Sequence, residues 1–553
     1  MTTPTRTPTP TATLTDLLAA TVAADPTSTA VVDMQPEPRR VSREELWRRT
    51  VTLRDNLREH GVGAGDCVGV WLPNWSDSLV WQFATAALGA HIVGINTRYG
   101  VTDVVHLMDH ARPKVIAIAH DFIGLDLGAK LHIAVRDSTA PAPSVAVLTG
   151  PGRAPATLET LATYDTGAGS WVPATVSTTG GIDLDALRGA PDAVAVAFTT
   201  SGSTGMPKLA GHLGSAVATH ARNVAGAGGW DESSVSLVVL PLSGVFGYVP
   251  AMSAIAAGGA ALLEPSFEPS QVLRHMAEFA VTHLASADDI SGRLMAAWRD
   301  RPEDLKAWRH MLMADFYGNS MQVSAWAENE TDTAVLGVYG SSELFALTSF
   351  WSERDPAPAR WRGGGRPVSD AIEVRSVDPV TGDPPTGGEP GELQFRGYNV
   401  VDSYLGDTDG AIRARAFTTD GWFHSGDLGT VRADGSFDYQ GRMGDSIRLK
   451  GFLVEPAEIE VRLAEHPGVA RTKVVGITVD GETRAVAFVE PVSGADLDPV
   501  ELRAWCAAVL AKFKVPETVH VIPEMPTTVG TNGSKIRAVA LRELAAQLAA
   551  HPL

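Results

Sequence analysis

The sequence has almost no cysteine: two residues, Cys67 and Cys506, in a chain of 553. Two thiols so far apart cannot build a disulfide framework or fill a zinc cage alone, so a reducing, cytoplasmic setting is expected. Positive charge is also short. A net charge of -19 argues against nucleic acid and anionic membranes as partners, yet an anionic cofactor needs only a local cluster of donors. Residues 1–13 are rich in Thr and Pro, lack the apolar core a signal peptide needs, and read as a disordered tail. Charge is absent altogether from Ser233 to Leu263, a stretch long enough to cross a bilayer. Pro241, Pro250 and the glycines at 244, 247, 258 and 259 interrupt it. A buried strand at Val235–Leu240 and a buried helix at Ala251–Ala257 are therefore expected in place of a membrane span.

What is present is ordinary globular composition, with 44% hydrophobic and 20% charged residues. Residues 41–60 carry Leu46, Leu53 and Leu57 at helical spacing behind a Ser42–Glu45 capping pattern. Apolar strands at Cys67–Leu72, Ala90–Ile95 and Ala193–Phe198 alternate with helices such as Asp77–Leu88, the pattern of a mostly parallel α/β sheet. The glycines of Gly61-Val-Gly-Ala-Gly65 precede a strand, whereas a dinucleotide turn follows one, so they read as a plain helix-to-strand turn. Residues 120–190 are the least readable. Between 363 and 450, short strands at Ile372–Val377, Glu392–Phe395, Gly429–Val431 and Phe437–Tyr439 suggest a small β-barrel-like subdomain. Beyond 443 the texture is α+β: helices at Ala457–Glu465 and Pro499–Lys512, and a hairpin of Lys473–Val479 with Thr483–Phe488. The expected architecture is α/β: a large N-terminal domain over 14–442 and a smaller, mobile C-terminal domain over 443–553.

The chemistry concentrates in Thr199-Thr-Ser-Gly-Ser-Thr-Gly-Met-Pro-Lys208, directly after the strand at 193–198. Its glycines let backbone N–H groups converge on phosphate oxygens, and its hydroxyls and lysine add donors. Pro207 before the lysine separates it from the GxxxxGK[ST] loop. Four further segments follow in order: Tyr339-Gly-Ser-Ser-Glu343, Gly421-Trp-Phe-His-Ser-Gly-Asp427, Gly441-Arg-Met-Gly-Asp-Ser-Ile447 and Asn532-Gly-Ser-Lys535. Together the chain resembles the adenylate-forming superfamily of acyl-CoA synthetases, nonribosomal adenylation domains and luciferases, from about residue 15 to the end.

That resemblance implies an ATP- and Mg2+-using ligase. Thr199, Thr200, Ser201, Gly202, Ser203, Thr204 and Gly205 would hold the β- and γ-phosphates, with Lys208 supporting the loop or the leaving pyrophosphate. Ser342 would bond the α-phosphate. Glu343, a hard oxygen donor, would hold Mg2+. Tyr339 would flank the adenine, and Asp427, assisted by Arg442, would accept the ribose hydroxyls. Lys535 would bridge the two anions that meet in adenylation. Gly444 stands where such families pivot their C-terminal domain, a role Asp445 shares as a candidate.

Three departures bear on the acid. Pro241-Leu-Ser-Gly-Val-Phe-Gly247 has Ser243 and Gly244 where many acyl-CoA synthetases carry Phe and His, so the pocket bordered by Gly244, Val245 and Phe246 lacks a bulky gate. Asp288 and Asp289 replace an apolar loop. Met313-Ala-Asp-Phe-Tyr-Gly318, with Asp315 and Tyr317, replaces a Gly-Gly-Ala; carboxylates there would suit a substrate bearing an amino group, or else cap helices or face water. The leading expectation is adenylation of a small acid and transfer to coenzyme A, with a separate carrier protein as another acceptor and a homodimer as another partner. The alternative is a diazotase that adenylates nitrite and passes it to the amine of an amino-aryl acid.

Overall fold

The computed structural model describes residues 12–34, 37–174, 181–200, 207–316, 319–379, 381–385, 389–443, 447–449, 452–454, 456–479, 482–510, 514–530 and 533–550, a few of them by backbone alone. Their strands form two large sheets and a separate C-terminal set. In the first sheet, Val194–Thr199, His91–Gly94, Cys67–Trp71, Val115–Ala119 and Ser144–Leu148 lie parallel, and Leu209–Leu213 turns back antiparallel onto Val194–Thr199. In the second, Ala334–Tyr339, His310–Ala314, His283–Ala287, Val235–Val238, Ala260–Leu263 and Thr29–Asp33 are parallel neighbours. These strands are short, β-branched and buried nearly throughout, as a sheet covered on both faces requires. One continuous apolar core runs through both sheets.

Local signals account for most elements. Ser42 accepts from the Glu45 amide at 3.1 Å and starts the helix Arg43–Glu59. Thr13, assigned to the tail by composition, instead caps the helix Leu14–Ala24 in a reciprocal capping box with Asp16. The charge-free stretch folds as strand, helix and strand. Its helix, Val245–Ala256, begins ahead of the expected Ala251 and carries Pro250 inside. Proline normally breaks a helix interior, but this one is buried along almost its whole length, and packing outweighs the lost bond. No helix among the described residues is long and apolar enough to cross a membrane. The strands between 364 and 442 have an apolar cluster of their own, yet remain hydrogen-bonded to the second sheet through Ser349–Phe350. The C-terminal strands Val469–Val479, Glu482–Pro491 and Thr518–Val521 pack with helices into two clusters drawn only from residues 447–545.

Asp33 joins the two sheets. Its carboxylate accepts from the Ser76 amide and hydroxyl, each at 2.6 Å, while Arg49 holds the same hydroxyl and Asp77. Burial pushes the Asp33 carboxyl up to about 6, against the pull of the Ser76 hydrogen bonds. A carboxyl raised in the folded state contributes stability below its unfolded value and loses it as pH rises through the folded one. Relative to Asp33→Asn, the wild type is therefore expected to lose on the order of 3 kcal/mol between about pH 4 and pH 7. Urea midpoints of the two proteins that track in parallel across that range would refute the assignment.

Candidate active site

Most of the singled-out residues stand at the carboxyl ends of parallel strands, where open α/β sheets place their ligands. Thr199 ends one strand of the first sheet. Tyr339, Asp288 and Asp315 end or follow strands of the second.

The neck of the phosphate loop is a hairpin closure. The Thr200 amide donates to the Lys208 carbonyl at 2.8 Å, and the Lys208 amide to the Thr200 hydroxyl at 3.3 Å. Thr199 and Thr200 are buried. The Lys208 ammonium lies 5.5 Å over the Tyr404 ring. Ser201, Gly202, Ser203, Thr204 and Gly205 lie outside the described residues. Both ends of the loop are tied to the helix Val101–Ala111 and the residues just before it. Tyr99 shares a 2.8 Å hydroxyl contact with Thr199, and the His106 Nε2–H donates to the Pro207 carbonyl at 2.7 Å. Sequence reasoning missed both anchors.

Ser342 is buried and donates to the Thr199 carbonyl at 3.0 Å, which binds the second sheet's site to the first's. Its own carbonyl accepts from His212 Nε2 at 2.7 Å. Burial pushes His212 down to about 4, so the ring is neutral and its proton sits on Nε2. His212 stacks on Phe345, with ring centroids 4.6 Å apart. Phe345 has a left-handed φ of 59°, inside a fold-back so tight that a Cβ on Gly340 would lie 2.9 Å from the Ala346 Cα. A bulky residue at positive φ is strained, and aromatic packing on three sides holds it. The only sequence signal for His212 is a histidine inside an apolar strand.

Burial also pushes the Glu343 carboxyl up, with Arg442 and Lys208 opposing. A half-buried carboxylate with Lys208 and Arg442 near enough to favour its charged form, beside the phosphate loop, fits an oxygen-preferring cation such as Mg2+.

Asp427 and Arg442 are paired across the antiparallel strands Phe423–Val431 and Phe437–Arg442. The Tyr339 hydroxyl donates to Asp427 Oδ2 at 2.6 Å, and an Arg442 guanidinium nitrogen donates to Oδ1 at 3.0 Å. Burial and the neighbouring carboxylate push the Tyr339 phenol far up, so it stays a donor. The Tyr339 ring stacks on Phe395 at 5.4 Å and meets Phe437 edge-on.

On the acid side, Gly244 caps the helix that carries Val245 and Phe246, both buried. Asp288 is fully buried. It accepts from the Phe316 and Asn319 amides, each at 2.9 Å, and shares a hydrogen bond with Asp315, which also receives the Ser320 hydroxyl at 2.6 Å. Burial and the second carboxylate push Asp288 well above the usual carboxylate range. Its oxygens fasten the loop after strand His310–Ala314, in preference to facing a substrate amine. Asp289 opens the next helix, with Oδ1 buried and without a partner among the described residues. Tyr317 lies outside the described residues, as do the hinge candidates Gly444 and Asp445. Lys535 sits on strand Gly533–Ile536, paired with Thr528, and its side chain is outside the described set.

Comparison with known proteins agrees with this geometry. The model of the AMP-binding enzyme family matches residues 18–405, and that of the AMP-binding enzyme C-terminal domain matches 458–530. A feruloyl-CoA synthase from Amycolatopsis sp is 30% identical over 495 residues, covering 88% of this chain and 90% of the relative. A 3-[(3aS,4S,7aS)-7a-methyl-1,5-dioxo-octahydro-1H-inden-4-yl]propanoyl:CoA ligase from Rhodococcus jostii is 29% identical over 511 residues, covering 88% and 91%. The ATP-bound crystal structure of MatB from Rhodopseudomonas palustris shares the fold, with a TM-score of 0.80 at 24% identity over 97% of this chain and 99% of that one. The chain belongs to the AMP-binding enzyme family and is an ATP-dependent, adenylate-forming ligase of the acyl-CoA synthetase type.

Proposed function

We propose that the protein adenylates a small carboxylic acid and transfers the acyl group to coenzyme A. The observation that carries the reading is the buried Tyr339–Asp427 pair, bonded to the more exposed Arg442, beside Ser342 and the neck of the Thr199–Lys208 loop. It supplies a carboxylate for the two ribose hydroxyls, with donors for phosphate oxygens nearby. The curated relatives named above are CoA ligases, which supports coenzyme A over a carrier protein as acceptor.

In the first half-reaction a carboxylate oxygen attacks the α-phosphorus in line, and the α–β bridging bond breaks to release pyrophosphate. Ser342, its backbone carbonyl held by His212, would turn its hydroxyl from the Thr199 carbonyl to the α-phosphate when nucleotide binds. Mg2+, held by Glu343, would neutralise phosphate charge. Lys535 lowers the repulsion between the incoming carboxylate and the α-phosphate. In the second half-reaction the coenzyme A thiolate attacks the acyl carbonyl. AMP leaves with the former carboxylate oxygen, and the thiol proton passes to solvent. A pivot at Gly444 would exchange Lys535 for the acceptor-binding face of the C-terminal domain.

The test is AMP and pyrophosphate release with a panel of carboxylic acids and coenzyme A, set beside nitrite with amino-aryl acids. Release that requires ATP, one carboxylic acid and coenzyme A together is expected, with a thioester as product. Release only with nitrite would replace this reading with the diazotase.

A further inference from the structure

We infer that Asn74 is a positioning residue for the acid-binding side of the site, acting with Gly94 to fix the backbone of Ser243 and Gly244. The inference rests on the reading that Ser243 to Phe246 border the acid. Asn74 belongs to none of the nucleotide motifs. It follows the first-sheet strand Cys67–Trp71 and is buried, yet its side chain reaches across to the second sheet.

There the Asn74 amide nitrogen lies within hydrogen-bond distance of three carbonyls, those of Val238 at 3.1 Å, Leu240 at 2.9 Å and Glu264 at 3.1 Å, so its two N–H groups serve three acceptors with one of them shared. Its oxygen accepts from the Leu242 amide at 2.9 Å. One side chain thus bonds backbone groups of the chain leaving strand Val235–Val238, beyond the last ladder bond from Glu264. The Glu264 side chain is itself fixed by His275, and the Glu264 amide donates to the Val238 carbonyl at 3.1 Å. The anchor is therefore rigid on both sides.

Two close backbone approaches complete the clamp. A Cβ on Gly94 would lie 2.6 Å from the Ser243 Cα and 2.8 Å from its carbonyl oxygen. A Cβ on Gly247 would lie 2.4 Å from the carbonyl oxygens of Leu240 and Pro241. The segment 238–244 is thus held by hydrogen bonds from Asn74, by the end of strand His91–Gly94, and by the first turn of helix Val245–Ala256. With Ser243 and Gly244 in place of bulky side chains, the wall of the acid pocket here is largely backbone. Where a wall is backbone, the group that fixes the backbone sets the shape the acid meets. Displacing a bound reactant by about 1 Å costs up to about a hundred-fold in rate.

Asn74→Ala removes the anchor. Gly94→Ala keeps the Asn74 side chain and pushes Ser243 from the other side. Both are measured for KM of ATP, KM of the acid, and relative kcat/KM across acids of graded size, with melting temperature and equilibrium ATP binding as controls. Each variant is expected to raise the KM for the best acid about ten-fold or more, to reorder the acids, and to leave the KM for ATP within about two-fold. Equal rises in both KM values, or an unchanged order of acids, would overturn the inference. If Asn74→Ala does not fold, Gly94→Ala decides, and an unchanged acid profile overturns it. A wild type that releases no AMP with any carboxylic acid would instead sink the proposed function, and this inference with it.

Discussion

Lys535→Ala is expected to slow acyl-adenylate formation by about a hundred- to a thousand-fold while sparing the transfer of a pre-made acyl-adenylate to coenzyme A. The asymmetry follows from where charge accumulates. Adenylation brings a carboxylate against a phosphate, and no cation in the described part of the nucleotide site is placed between them. Arg442 is committed to Asp427 and the Ser425 carbonyl, and Lys208 lies over Tyr404 at the loop's neck. Transfer begins from a neutral acyl carbonyl and needs no such bridge. Lys535 stands on a two-stranded hairpin of the C-terminal unit, whose core is separate from that of the large domain. The proposed function has it delivered to the site and withdrawn with that unit. Single-turnover measurement of pyrophosphate release, beside thioester formation from synthetic adenylate, reads the two steps apart. Equal loss in both would remove Lys535 from the adenylation step, and full recovery by Lys535→Arg would show that charge alone is required.

The parallel core was legible because its strands are short apolar runs bounded by turn residues. Val194–Thr199, Cys67–Trp71 and His91–Gly94 fall within a residue or two of where the pattern puts them. Helix Val245–Ala256 was cut short in the sequence reading because Pro250 is a breaker in isolation, and only packing on every side overrides it. The stretch 120–190 was opaque for a different reason. Its elements, Leu127–Asp137, Ser144–Leu148, Leu158–Ala162 and Ser170–Trp171, are separated by turns rich in Thr, Pro and Gly that blur both periods.

At the site, the residues proposed to meet nucleotide stood out because phosphate and ribose chemistry demands particular side chains in a fixed order. Residues that hold those residues were not. Asn74, Tyr99, His106 and His212 act through backbone carbonyls and hydroxyls far away in sequence, and nothing in their local pattern reveals a partner. Asp288 shows the converse. A buried carboxylate near a substrate pocket invites a substrate role, yet two amides and a second carboxyl already use its oxygens.

Asp427→Ala is expected to lower kcat/KM for ATP roughly a hundred-fold or more, since two hydrogen bonds to a charged group are each worth about 1.5–3 kcal/mol. The same change leaves the buried Tyr339 hydroxyl and the Arg442 guanidinium without their acceptor. A stability loss of about 1–3 kcal/mol is therefore expected alongside, most of it from the Tyr339 hydroxyl, since Arg442 is partly in solvent and keeps the Ser425 carbonyl. Stability and recognition must be separated. Asp427→Asn keeps the shape and an acceptor oxygen for Arg442, but sets an amide where the Tyr339 phenol donates. It is expected to fold and still bind ATP poorly. Removing the ribose hydroxyls completes the cycle: 2′-deoxy-ATP and 3′-deoxy-ATP should be used far less well than ATP by the wild type, and about as well as ATP by Asp427→Asn, because the lost partner is the same in both arms. If the deoxy substrates are penalised equally in both proteins, Asp427 does not face the ribose. The Tyr339–Asp427–Arg442 arrangement would then be a structural lock between the β-rich strands and the second sheet.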